Sequence, residues 1–108
     1  MTSRLKTLGL FSAAALLLAS GGAHAQALSA ADAAVLAGPC ANCHGTDGKS
    51  NGKIPPLAGR PAATLAAMMK AFKGETPPPG TTIMNRLSKG YTDEQIEALA
   101  KHFAEKKY

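Results

Sequence analysis

The sequence predicts an all-α fold of three main helices joined by long loops. Three observations lead there. Apolar residues recur at helical spacing in three separate segments, no segment alternates with the period of a strand, and the stretches between helices are rich in glycine and proline. At 108 residues the chain is one small domain or less.

The first helix is expected to start after Ser29, an N-cap residue, with Asp32 in the first turn favoured by the helix dipole. Ala33, Val35, Leu36 and Ala37 follow, and Gly38-Pro39 disturbs or ends the helix. Gly45 to Gly59 then holds four glycines and two prolines and reads as a loop. A loop of that length is unusual in a compact domain unless it wraps something. The second helix is predicted from Pro61, with Leu65, Met68, Met69 and Phe72 on one face and Gly74 as its stop. Thr76 to Thr82 contains Pro77-Pro78-Pro79-Gly80, which predicts a stiff, extended polyproline segment. The third helix has the clearest signals. Thr92 and Gln95 form a capping box, Tyr91 and Ile96 a hydrophobic staple, and Ile96, Leu99, Ala100 and Phe103 a buried stripe.

Residues 1–25 read as a secretory signal peptide. Arg4 and Lys6 give a basic start, Leu8 to Ala19 is almost wholly apolar, and Ala23-His24-Ala25 is a small-x-small cleavage site. The apolar run, about 12 residues, is shorter than the ~20 a membrane span needs. Cleavage after Ala25 leaves one domain, residues 26–108, of 83 residues, exported to the periplasm with no stable membrane insertion. It keeps ten basic and seven acidic residues, a dispersed net charge of +3. With few aromatic residues, that excludes a nucleic-acid footprint and suits transient docking to an acidic partner. The candidate docking cations are Lys49, Lys53, Lys70, Lys73, Arg86 and Lys89.

A chain this short needs a staple for its core. Its two cysteines stand two residues apart and cannot close a long loop. They fall in Cys40-Ala41-Asn42-Cys43-His44, the covalent haem attachment motif. Two thiols at this spacing reach the two vinyl groups on one porphyrin edge, and the histidine that follows turns toward the iron. A thioredoxin-type pair would need a strand-helix-strand setting, and structural zinc a second pair of ligands. A short disulfide explains neither His44 nor the wrapping loops. One covalent haem c is therefore the expected cofactor, with His44 as an iron ligand. For the other axial position Met84, Met68, Met69 and His102 remain after His24 is lost with the leader. Met68 and Met69 read as core filling and His102 as a surface helix residue. Met84, in a loop between the proline segment and a well-capped helix, is the preferred candidate.

The order of these elements resembles the class I cytochromes c. Pro55-Pro56-Leu57-Ala58-Gly59 is similar to the Pro-x-Leu-x-Gly segment of that family. The resemblance implies that the Pro55 carbonyl accepts a hydrogen bond from His44 and that Leu57 packs on the haem. More narrowly, Cys40 to Gly48, Ile54 to Gly59, Ala67 to Glu75 and Thr82 to Phe103 are similar to the cytochrome subunit of flavocytochrome c sulfide dehydrogenases. That resemblance implies Met84 as iron ligand and a sulfide-oxidising flavoprotein as redox partner. Many such subunits carry two haem domains, whereas this chain has one motif, and the triple-proline segment is unusual among them. The expected function is one-electron transfer without catalysis, to or from redox partner proteins that include a terminal oxidase or reductase. A haem enzyme or gas-binding sensor with a labile sixth ligand is the alternative.

Overall fold

The computed structural model describes residues 26–108, so the expected signal peptide lies outside the described residues. Among the described residues five α-helices run in order: α1 (Ala30–Ala37), α2 (Ala41–His44), α3 (Ala62–Lys73), α4 (Met84–Leu87) and α5 (Asp93–Ala104). No strand occurs among the described residues, and no described helix is long and apolar enough to cross a membrane.

The three main helices are α1, α3 and α5. Thr92 Oγ1 accepts from the Gln95 amide at 3.2 Å, and Gln95 Oε1 accepts from the Thr92 amide at 2.9 Å. Helix α1 has the same reciprocal device, with Ser29 Oγ and the Asp32 carboxylate as the acceptors. Each cap of this kind stabilises its helix by about 1 kcal/mol. Helix α5 packs across both α1 and α3. Ile96, Leu99, Ala100 and Phe103 meet Leu65 and Ala66 of α3 and Ala37 of α1. Ile96 is fully buried, and burial of such a side chain contributes about 1.5–3 kcal/mol. Alanine at 33 and 37 gives α1 a narrow buried edge, while Val35 faces outward.

Two short helices were outside the three expected ones. Gly38-Pro39 ends α1 as expected, but the chain stays helical beyond it. It tightens into a 3-10 turn, Gly38–Cys40, which leads directly into α2. Met84 likewise opens the single-turn helix α4 rather than sitting in an irregular loop, and a 3-10 turn, Ser88–Gly90, links α4 to α5. The proline segment also differs from the extended form expected. It closes into a turn in which the Thr81 amide and hydroxyl both donate to the Pro78 carbonyl, at 3.2 and 2.7 Å. Gly80, at φ +79°, makes this turn possible, because its missing Cβ removes the left-handed penalty.

The long loop after α2 is folded back on itself. The Gly48 carbonyl accepts from the Leu57 amide at 2.8 Å and the Ala58 amide at 3.1 Å. Gly59 donates its amide to the Phe103 carbonyl at the end of α5. The C-terminal tail adds a Lys106–Asp47 ion pair at 3.7 Å and a hydrogen bond from the Tyr108 hydroxyl to the Ser50 carbonyl.

Candidate functional site

These elements enclose one large cleft of about 580 Å³, walled by α2, the Ile54–Arg60 loop segment, one face of α3, the Pro78–Thr82 turn, α4 and the inner stripe of α5. Cys40, Cys43, His44, Pro55, Leu57 and Met84 all line it. The first three come from one continuous helical stretch. The 3-10 turn and α2 present residues 40, 43 and 44 on the cleft side while Ala41 and Asn42 face solvent. A helical turn brings i and i+3 to one face, which is what a Cys-x-x-Cys pair needs.

His44 is buried, and its Nδ1 donates to the Pro55 carbonyl at 2.7 Å. A carbonyl oxygen can only accept, so Nδ1 carries the proton and Nε2 holds the lone pair. The imidazole is thus fixed in orientation and tautomer by a backbone group eleven residues away. In the haem-free chain, burial pushes the Cys40 thiol above its ordinary value.

The candidate sulfurs differ in their surroundings. Met68 Sδ accepts from Arg60 Nη2 at 3.7 Å, and Met69 Sδ accepts from the fully buried Ser88 hydroxyl at 3.5 Å. Met84 is half-buried on the cleft wall, and its sulfur has no hydrogen-bond partner among the described residues. His102 lies outside this cleft. Its ring stands edge-on to Phe103, with centroids 5.2 Å apart at 85°, and burial, aided by Lys106, lowers its pKa from the usual 6.5.

Of the six candidate docking cations, three have partners within the protein. Lys70 pairs with Glu97 at 2.5 Å and Lys73 with Asp93 at 3.0 Å, both across α3 and α5. These exposed pairs hold each other's charge and raise the Lys70 pKa through its bond to Glu97. Arg86 donates from Nη1 to the Thr82 carbonyl. Lys49, Lys53 and Lys89 are exposed and make no ion pair within the described residues. Local pairing, which depends on the α3–α5 register, was invisible in a count of basic residues.

The cytochrome c family profile matches residues 29–105, a span that takes in every wall of the cleft. The chain belongs to the cytochrome c family. It is 38% identical over 104 residues to the cytochrome subunit of sulfide dehydrogenase from Chlorobaculum tepidum, covering 87% of this chain and 93% of that protein. It is also 38% identical over 64 residues to cytochrome c-553 of Desulfomicrobium norvegicum, covering 58% of this chain and 80% of that one. A third likeness, 33% over 67 residues, is to a thiosulfate dehydrogenase electron acceptor of Stutzerimonas stutzeri, of which it covers 31%.

As a cytochrome c, this protein carries covalent haem c and acts as an electron carrier rather than an enzyme. Its fold is the class I cytochrome c fold. The cleft suits the group. Its volume lies within the range of about 300–1,000 Å³ usual for ligand sites. Its walls are apolar apart from a few groups, and two thiols and one oriented imidazole converge on it. Arg60 and Tyr91 also line it and were not singled out from the sequence. A residue immediately after the Pro-x-Leu-x-Gly segment could have been flagged as a cleft neighbour, and Tyr91 was read only for its part in the helix staple.

Proposed function

We propose that this cytochrome c is a periplasmic one-electron carrier in which His44 and Met84 would hold the haem iron, and that its donor is a sulfide-oxidising flavoprotein. The observation that carries the ligand reading is the division among the cleft sulfurs. Met68 and Met69 each accept a hydrogen bond from the protein, and Met84 alone of the three has none among the described residues. Thioether and imidazole together favour the reduced state relative to harder ligands.

The bound haem supplies the chemistry, gaining or losing one electron at a time. Cys40 and Cys43 retain it as thioethers. The Pro55 carbonyl, through His44 Nδ1–H, orients the imidazole and raises its basicity. The apolar side chains of Leu57, Leu65, Leu99 and Phe103 exclude water from the cleft. Short α4, continuous with the Ser88–Gly90 turn, limits the motion of Met84, so little ordering is required when charge changes.

Export to the periplasm is supported by the leader-like order of residues 1–25. The sulfide-oxidising partner is supported by the likeness to a sulfide dehydrogenase cytochrome subunit over nearly its whole length. The acceptor would be a terminal oxidase or reductase.

Met84→Ala tests the ligand reading. The oxidised wild-type protein should show the weak near-infrared sulfur-to-iron band, and the variant should lose it, fall in reduction potential and bind carbon monoxide. Met68→Leu and Met69→Leu should keep the band and lose less than about 1.5 kcal/mol each. Loss of the band in either of those variants, with Met84→Ala unchanged, would transfer the assignment to the other sulfur. Stoichiometric carbon monoxide binding by wild-type protein would favour a labile sixth position and a gas-sensing role. For the partner, capture on the haem-loaded protein from periplasmic extract should recover a flavoprotein, and a partner without flavin would refute that part.

A further inference from the structure

The chain holds three asparagines, and their surroundings differ. Asn42 lies in α2 with Cys43 as the next residue, and Asn85 lies in α4, where the following Arg86 amide donates to the Ile83 carbonyl at 2.9 Å. The Asn85 side-chain oxygen is buried as well. Asn51 is exposed, belongs to no helix and is followed by Gly52, which is also exposed. The Gly52 amide donates to the Ser50 hydroxyl at 3.3 Å rather than to a backbone carbonyl.

These differences bear on one reaction. A backbone nitrogen that reaches the side-chain carbonyl carbon of the preceding asparagine closes a five-membered succinimide. Glycine after the asparagine helps twice, because no Cβ obstructs the approach and its φ and ψ range widely. A helix holds the next amide in its own ladder, away from the side chain. Asn42 and Asn85 are protected in this way and Asn51 is not. The exposed Gly52–Ser50 bond exchanges readily for one to water.

The setting is charged. Lys49 and Lys53 stand two residues to either side of Asn51, both exposed and without an ion pair among the described residues. Ile54, next after Lys53, lines the cleft. A carboxylate at position 51 falls between two such cations on the approach to the cleft. The segment is also anchored on both sides. The Ser50 carbonyl accepts from the Tyr108 hydroxyl at 2.9 Å, and the Pro55 carbonyl from His44 Nδ1 at 2.7 Å. A covalent change at residue 51 is therefore absorbed within the exposed stretch between these anchors.

We propose that Asn51 is a deamidation site, which lowers the positive charge beside the cleft as the protein ages. The Gly52 nitrogen gives its proton to hydroxide or a buffer base and bonds to Asn51 Cγ. The Cγ–Nδ2 bond breaks, and Nδ2 takes a proton from water and leaves as ammonia. Water then adds to one of the two ring carbonyls and opens the ring. Addition at Cγ gives aspartate. Addition at the main-chain carbonyl carbon gives isoaspartate, with the chain continuing through Cγ. No oxidant or reductant takes part, and either product carries one carboxylate where the amide was neutral.

The test is incubation of the haem-loaded protein in mildly alkaline buffer made with oxygen-18 water, beside a free peptide of sequence Lys49–Ile54, followed by fragment mass spectrometry. Residue 51 should exchange its amide nitrogen for labelled oxygen, faster at higher pH, while Asn42 and Asn85 keep theirs. Gly52→Ala should lose most of the label uptake over the same period. That variant should keep the wild-type helix content and haem, since φ at Gly52 is outside the left-handed range and a Cβ there meets nothing closer than Ser50 Oγ at 4.0 Å. Deamidated protein, separated by ion exchange and then reduced, should be oxidised by ferricyanide about two-fold more slowly than wild type, as should Asn51→Asp, and the difference should fade as salt rises. Asn51 unlabelled when the peptide has converted, equal labelling of Asn42 or Asn85, or an unchanged rate in Gly52→Ala would each overturn the proposed site. Wild-type oxidation rates in both the deamidated protein and Asn51→Asp would overturn its effect on the cleft charge. The outcome is independent of which sulfur binds the iron, because label uptake is read on the peptide fragments alone.

Discussion

Gly48→Ala should be among the most damaging single-methyl additions to this protein. Gly48 is buried at φ +73°, and a Cβ there would stand 2.8 Å from Phe103 Cδ1 and 2.9 Å from Leu57 Cβ. Left-handed backbone costs an L-residue about 1–2 kcal/mol. Forcing a methyl into packed side chains costs about 1–3 kcal/mol more. The alanine also restricts the unfolded chain, which offsets about 0.4–1 kcal/mol. The net loss should be about 1–5 kcal/mol, centred near 3, a large share of the ~5–15 kcal/mol typical of a small domain. Guanidinium denaturation of the haem-loaded variant, followed by helix circular dichroism, measures it. Because Leu57 and Phe103 line the cleft, the Soret band should shift as well. Gly38→Ala is the control. Gly38 lies at φ −49° with nothing within 4 Å of its would-be Cβ, so that change should be neutral or stabilise by about 0.4–1 kcal/mol. A Gly48→Ala protein within 1 kcal/mol of wild type, or an equal loss in both variants, would refute the reasoning.

Two further outcomes follow from charge. Lys53 and Lys89 stand beside the cleft-lining Ile54 and near Leu87 without ion-pair partners, so Lys53→Gln and Lys89→Gln should each slow oxidation of the reduced protein by ferricyanide. One charge about 8 Å from a trianion in water of ordinary salt is worth about 0.7 kcal/mol, or about three-fold in rate, and the effect should fade as salt rises. Lys70→Gln should change the rate less, since Glu97 already offsets that charge; stopped-flow rates against ionic strength decide, and equal effects in all three would contradict this. His102 supplies the pH dependence. Burial first, then Lys106, lowers its pKa below 6.5 in the folded state, against opposing pulls from Asp47 and Glu105. The unfolded chain therefore binds the proton first, and its stabilisation of the native state is full above about pH 7 and declines as pH falls through 6.5. Melting temperature between pH 5.5 and 7.5 should slope less in His102→Gln than in wild type, and parallel slopes would dismiss the effect.

How much was legible depended on the range of the signal. Local signals read cleanly. The Thr92–Gln95 capping box and the Ile96, Leu99, Ala100, Phe103 stripe appear as the spacing implied, because both are set within four residues. The helical turn that follows Gly38-Pro39 and the shape of Pro77-Pro78-Pro79-Gly80 read less well. Proline at the start of a 3-10 turn lacks a donor that the turn does not use, and Gly80 lets the third proline bend the chain instead of extending it. The one-turn α4 was missed because Met84-Asn85-Arg86-Leu87 is too short to show a helical period. Of the site, Cys40, Cys43 and His44 follow from one contiguous motif. The 2.7 Å contact between His44 and Pro55 came only with the family resemblance, since nothing in local spacing links residues eleven apart. Arg60 stayed hidden because its place on the cleft depends on how the Leu57–Arg60 turn meets α3.

The distribution of apolar side chains explains why attachment is covalent. Among the described residues, five of the nine buried apolar residues are alanines: Ala33, Ala37, Ala58, Ala66 and Ala100. Larger apolar side chains lie open. Ile54, Met68, Ile83 and Leu87 are 37–58% exposed, and all four line the cleft. Contiguous exposed apolar surface of that kind marks a binding site, and here it is the wall of the cleft on which Cys40, Cys43 and His44 converge. Covering it with a porphyrin removes apolar area at about 25 cal/mol per Å². The walls come from α2, two loops, α3, α4 and α5, so the cofactor joins segments drawn from most of the described chain. Yet a chain this short leaves part of the cleft mouth open, with Cys43 exposed there. An open mouth is what an electron needs to pass to a partner, and it also weakens retention of a purely non-covalent ligand. Thioether bonds from half-buried Cys40 and exposed Cys43 would keep the haem bound while leaving its edge accessible, and exposed lysines such as Lys53, next to the cleft-lining Ile54, add to the charge a partner meets first.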